Sequence, residues 1–216
     1  MSLAKLALPV IALALLAGCK RTGDIVVGSG AGITSVRSVC PQVAVPAGTG
    51  DVTLFNPPAS REAQAIDVTA VLTNVQSSCN DQGSDQIVTT VNFQVFGRRA
   101  SAEGPRDVTL PYFISLVRGG SSVVSKRIGR VTLHFDAGQT RASTSGTATT
   151  QVSRAAATLP RDVRDRLTRR RKAGDQDAAM DPLADPAIRS AVLSATFEAL
   201  IGFQLTEDQL KYNVTR

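Results

Sequence analysis

The sequence predicts a mainly β domain: an antiparallel immunoglobulin or fibronectin-like β-sandwich with a basic helical or disordered insertion and a short C-terminal helix. Three observations carry that expectation. Several segments alternate apolar and polar residues with the two-residue period of a half-buried strand. Turn-forming residues cluster between them, at Asn56-Pro57-Pro58, Asn80 to Ser84, Gly104-Pro105 and Gly119-Gly120. Val and Thr are abundant while tryptophan is absent, a composition that favours strands.

The first eighteen residues have the three parts of an export signal. Lys5 supplies the positive n-region, Leu6 to Leu16 is apolar apart from Pro9, and Ala17-Gly18 leads into Cys19. The apolar run is shorter than the roughly 20 residues a transmembrane helix needs. Leu16-Ala17-Gly18-Cys19 resembles the lipobox of bacterial lipoproteins. That resemblance implies a lipidated Cys19, cleavage before it, and acylation of the new amine with fatty chains such as palmitate. Several chains, at roughly 0.8 kcal/mol per buried methylene, give a stable membrane anchor. Lys20 stands where an aspartate would retain such proteins in the inner membrane, so the resemblance implies the outer membrane.

Residues 19–38, rich in Gly, Ser and Thr, read as the lipidated N-terminus and a flexible tether. Within them, Ile25 to Gly32 imitates the strand and glycine turn of a dinucleotide-binding domain. Ile33 stands where that fingerprint needs Gly or Ala, and no amphipathic helix follows, so no cofactor is expected. Removing the signal leaves about 198 residues, enough for one ordinary core, and takes one lysine off the formal charge of +6.

Cys40 and Cys79 remain as an even pair in an oxidising compartment, which favours a disulfide between them. On the chain-entropy model such a bond would stabilise by roughly 4 kcal/mol. The alternatives are two buried thiols or a redox pair, and redox cysteines usually sit closer in sequence.

The sandwich is expected over residues 39–153. Ile66 to Val75 is a strand candidate ending at Cys79. Ile87, Thr89, Val91, Phe93 and Val95 form one face of a strand, with Val88, Thr90, Asn92 and Gln94 on the other. Val108, Leu110, Tyr112, Ile114 and Leu116 repeat the pattern, as do Val131, Leu133 and Phe135 against Thr132 and His134. A parallel sheet would need crossover helices, for which there is no room.

Residues 154–186 change character. Arg161, Arg164, Arg166, Arg169, Arg170, Arg171 and Lys172 make a basic run behind Pro160, able to form a helix but without an apolar stripe to dock it. Ala173 to Asp185 reads as an exposed linker. Residues 187–216 complete the β-domain: a helix starts at Asp185-Pro186 and runs to about Ser194. Phe197 to Leu205 reads as the last strand. Thr206 and Gln209 fit a capping box before the final helix.

Candidate chemistry is sparse. His134, the one histidine, lies on a polar strand face with no nucleophile elbow around any serine. One histidine and two bonded cysteines do not support a metal site, and Asp81 and Asp85 lack the spacing of a calcium loop. Asn213-Val214-Thr215 matches a glycosylation sequon, which means little in a bacterial lipoprotein. The arginines Arg161, Arg164, Arg169, Arg170 and Arg171, with Lys172, are the candidate contact with anionic lipid, since closely spaced guanidiniums engage phosphates bidentately. The other reading is a solvated charged insertion.

Cys19, Cys40-Pro41, Cys79, Leu110-Pro111-Tyr112-Phe113, and Gly202-Phe203-Gln204-Leu205-Thr206 with Gln209-Leu210 and Tyr212-Asn213 form an ordered set. It resembles a family of uncharacterised lipoproteins from Gram-negative bacteria. The resemblance implies that the Gly-Phe-Gln-Leu-Thr segment closes the domain, that residues 161 to about 185 are an insertion, and that no activity transfers. The expectation is therefore a non-catalytic binding or scaffolding module on the periplasmic side of the outer membrane. Its partners would be the membrane, through the N-terminal lipid, and an envelope protein or complex, with nucleic acid excluded by export. The alternative is a carrier or sensor of lipid or lipopolysaccharide, with an apolar groove between the sheets.

Overall fold

The computed structural model describes residues 38–169, 174–175 and 180–216. The signal segment, Cys19, nearly all of the tether and the residues Arg170, Arg171 and Lys172 lie outside them. The fold is mainly β, with two four-stranded, antiparallel-rich sheets packed together. In chain order the strands are β1 (Gln42–Ala44), β2 (Asp51–Phe55), β3 (Ile66–Asn80), β4 (Gln86–Arg99), β5 (Arg106–Arg118), β6 (Ser122–Phe135), β7 (Arg141–Ser153) and β8 (Phe197–Phe203). Helices α1 (Arg154–Ala157), α2 (Arg161–Thr168), α3 (Pro186–Ser194) and α4 (Glu207–Thr215) fall between β7 and β8 or after β8.

The first sheet has the order β1-β8-β5-β6 and the second β2-β3-β4-β7. Each alternating segment read from the sequence is a strand. Strand β4 is the clearest: Ile87, Thr89, Val91, Phe93, Val95, Gly97 and Arg99 point inward, and their neighbours point outward. The glycines at 119 and 120, with φ of 62° and 77°, close the β5–β6 hairpin in a conformation that side chains resist. A bulge between Thr73 and Gln76 interrupts β3, with Asn74 at φ 50°.

The core between the sheets is apolar and continuous. Val68, Val91, Phe93, Val95, Leu133, Phe135, Ile201 and Phe203 anchor it, each at most 2% exposed. Burying each such side chain stabilises by roughly 1.5–3 kcal/mol. A smaller cluster of Ile87, Leu116, Val152, Ala157 and Phe197 lies against Val39 and a disulfide between Cys40 and Cys79. The bond expected from the cysteine count is therefore present, and it closes the domain at one end of β3.

Three expectations need correction. First, β1 pairs with β8 in parallel, Gln42 opposite Glu198. No crossover helix is required, because nearly the whole domain intervenes between the two strands. Second, the basic segment does dock: in α2, Val163 is 8% exposed and Leu167, one turn later, is half-buried. Two apolar residues four apart suffice for so short a helix. Third, the space between the sheets, where an apolar groove would have to lie, is filled by the core. The concave surfaces described below lie outside it.

Candidate functional site

The outer face of the second sheet carries a basic groove. Strand pairing aligns its outward residues in rows across β2, β3, β4 and β7. One row runs Asp51, Val71, Phe96, Ser143, and the next Thr53, Thr69, Arg98, Arg141. All of them but Ser143 line a concavity of about 450 Å3 with Arg216 at its margin. Val71 and Phe96 are 44% and 45% exposed, so the floor presents apolar surface to solvent.

Helix α4 packs against β2 and delivers its C-cap residue, Arg216, to the margin of the groove. Its capping box is complete: the Thr206 hydroxyl accepts from the Gln209 amide and the Gln209 side chain accepts from the Thr206 amide. The Asn213 side-chain amide donates to the carbonyls of Gly48 and Asp51 at 2.8 and 2.7 Å, and Tyr212 meets Phe55 edge to face at 5.1 Å. These contacts bring Arg216 onto β2, where its guanidinium pairs with the Asp51 carboxylate and lies 3.5 Å from the Thr53 hydroxyl.

Arg98 and Arg141 differ from Arg216. They stand directly opposite each other on β4 and β7. Residues so placed have Cβ atoms roughly 4.5–5.5 Å apart, and like charges there are destabilising. Both side chains are exposed, and neither guanidinium has an ion-pair or hydrogen-bond partner among the described residues.

Arg99, one residue on, faces the opposite way and is 2% exposed. Its guanidinium donates to the carbonyls of Gln139, Gly104 and Asp136 at 2.8, 2.8 and 2.9 Å, and stands over the Phe135 ring. Adjacent arginines thus do opposite things: one pins the loops at the end of the sandwich, the other lies open on the groove.

A second concavity of about 400 Å3 lies beside the start of α4, near Phe55, Arg61, Asp67 and Tyr212. Here Arg106 grips Asp67 with two hydrogen bonds of 2.7 Å. That grip, more than the charge alone, holds the Asp67 carboxyl below the usual carboxylate range against its partial burial.

The other exposed feature is the free edge of β6. Strand β6 bonds to β5 on one side and ends the first sheet. Its first half is exposed on both faces, with Val123, Val124 and Ile128 at 63%, 52% and 60%. Arg118, Lys126, Arg127 and Arg130 make this edge basic, and no acidic residue occurs between Arg118 and Leu133.

The residues singled out from the sequence are dispersed. In the basic run, Arg161 lies 3.9 Å from Asp165 and Arg166 lies 3.4 Å from Asp185, while Arg164 and Arg169 are exposed. His134 projects from β6 between Asp107 at 2.5 Å and Asp136 at 3.4 Å, fully on the surface. Its hydrogen bond to Asp107, then the charge of Asp107, raise its pKa. In the loop holding Asp81 and Asp85, the Arg154 guanidinium donates to the carbonyls of Asp81 and Ser84, and the Arg154 backbone amide donates to that of Asp85. Arg154 thus satisfies three carbonyls of that loop. Among the described residues no cluster of His, Cys, Asp and Glu could hold a metal, and no helix is long and apolar enough to cross a membrane. The pair Arg98 and Arg141 was missed, although the β4 alternation already places Arg98 outward.

No family model, curated protein or solved structure matches the chain.

Proposed function

We propose that the protein is a non-catalytic, lipid-anchored binding or scaffolding module of the bacterial envelope, held by an acylated Cys19 on the periplasmic side of the outer membrane. Its two sheets would form an immunoglobulin-like sandwich. The β6 edge carries this reading. It offers a row of backbone donors and acceptors, apolar side chains on both faces, and an unbroken basic character. An uncovered edge templates pairing with another strand, and the charges of Lys126, Arg127 and Arg130, which disfavour pairing with a second basic strand, would favour an acidic one. Strand addition gives affinity through the backbone and specificity through alternate side chains. The partner fitting this edge is an extended acidic segment of an envelope protein.

A photo-crosslinking residue in place of Val124, in cells making the full-length chain, tests this. One dominant envelope protein captured from that position, and not from exposed Thr149 on the other sheet, supports the scaffold. Capture of no protein from Val124 refutes it. Labelling with a palmitate analogue tests the anchor, which Cys19→Ser should abolish.

The alternative, a carrier or sensor of lipid or lipopolysaccharide, is favoured by one observation: Arg98 and Arg141, without a partner among the described residues, beside an apolar floor on the second sheet.

A further inference from the structure

We infer that the groove on the outer face of the second sheet binds the phosphomonoester headgroup of a lipid, with Arg98 and Arg141 holding the phosphate and Val71 and Phe96 receiving the start of its apolar body. The inference deepens the alternative reading and is independent of the β6 edge.

The first ground is charge. Two arginines stand directly opposite each other on neighbouring strands, an arrangement of like charges that costs the fold energy. Asp51, the groove's carboxylate, is already paired with Arg216. The site therefore presents uncompensated positive charge to a ligand. An oxyanion between the two forks would turn repulsion into two charge-assisted contacts, and guanidinium geometry suits phosphate oxygens bidentately.

The second ground is the neighbouring row. Val71 and Phe96 are cross-strand partners immediately beside the arginines, and both are exposed. A free inorganic anion would gain nothing from them, whereas an acyl chain leaving the phosphate could cover them. Thr69 and Thr53 complete the row with hydroxyls. The concavity of about 450 Å3 holds a headgroup and the first part of a chain rather than a whole lipid.

The test uses the full-length chain carrying Cys19→Ser, so that no covalent lipid competes, titrated with soluble dihexanoyl phosphatidic acid and followed by NMR. Shifts are expected at Val71, Phe96, Arg98 and Arg141, with affinity falling roughly tenfold or more in Arg98→Ala. Arg141→Glu is the decisive variant. It replaces a like-charge pair by an opposite one, so it should abolish binding while leaving the fold as stable or more stable. Arg127→Glu on β6 makes the same charge change elsewhere and should leave binding intact. Undiminished binding in Arg141→Glu would overturn the site. Equal affinity for inorganic phosphate would overturn the lipid, since the apolar floor would then contribute nothing. Loss of binding in Arg127→Glu as well would reduce the effect to overall charge and overturn the inference.

Discussion

Phe93 and Tyr112 meet edge to face between the two sheets, ring centroids 4.9 Å apart, and each stands opposite a glycine on the adjoining strand, Gly146 for Phe93 and Gly129 for Tyr112. A Cβ at either glycine would overlap the facing ring. Two glycines that weaken their strands thus make room for the central aromatic pair, whose geometry adds roughly 0.5–1.5 kcal/mol beyond its buried area.

Gly146→Val should therefore destabilise the domain by about 1–3 kcal/mol, because the new side chain and the Phe93 ring claim one volume. Urea unfolding should give a lower midpoint with an unchanged slope. Tyr112→Phe loses only the hydrogen bond to the Thr147 carbonyl and should cost about 1 kcal/mol.

Cys79→Ala should cost about 2–5 kcal/mol, since the Cys40–Cys79 bond closes a loop of sequence separation 39. Wild-type protein unfolded under reducing conditions should approach the midpoint of the variant. Equal midpoints for oxidised wild type and variant would contradict this.

Arg99→Lys should destabilise by about 2–4 kcal/mol despite keeping the charge. A compact ammonium cannot reach three carbonyls that the guanidinium fork satisfies together, and those left unpaired are partly buried. Arg98→Lys, on the open face of the same strand, should change stability by less than about 0.5 kcal/mol. Thermal unfolding of the two variants side by side checks the contrast.

Two titrations should run in opposite directions. The pKa of His134 is raised above 6.5, first by its hydrogen bond to Asp107. Its contribution is therefore fully present below the ordinary value and is lost as pH rises through the folded one. Asp67 is lowered below 3.8 by Arg106, so its contribution is present above that value and is lost as pH falls through the lowered one. NMR titration should show Asp107→Asn bringing His134 down and Arg106→Ala bringing Asp67 up.

What the sequence made legible follows from period and punctuation. Strands β4 and β5 alternate large apolar residues with polar ones, and the final helix declares itself through Thr206 and Gln209. Strand β7 was silent because its inward positions, Ala142, Thr144, Gly146, Ala148 and Thr150, are small to fit the rings facing them. A search for apolar alternation passes over such a strand. Strand β1 is three residues long and is held by a pairing more than 150 residues away, a distance over which local pattern has no reach. The groove was hidden for a related reason. Arg98 and Arg141 become neighbours only through the β4–β7 register, whereas the conspicuous run from Arg161 is contiguous in sequence and partly occupied by its own carboxylates.

The position of the disulfide has a mechanical consequence. Cys40 lies immediately ahead of β1, a three-residue edge strand that a pull on the N-terminus would otherwise peel from β8 first. A pull from the N-terminal side meets the covalent bond before β1 and passes to Cys79, near the end of the fifteen-residue strand β3, where β3 is bonded to β4. The load then falls on the longest strand of the fold, and the weakest strand stays slack.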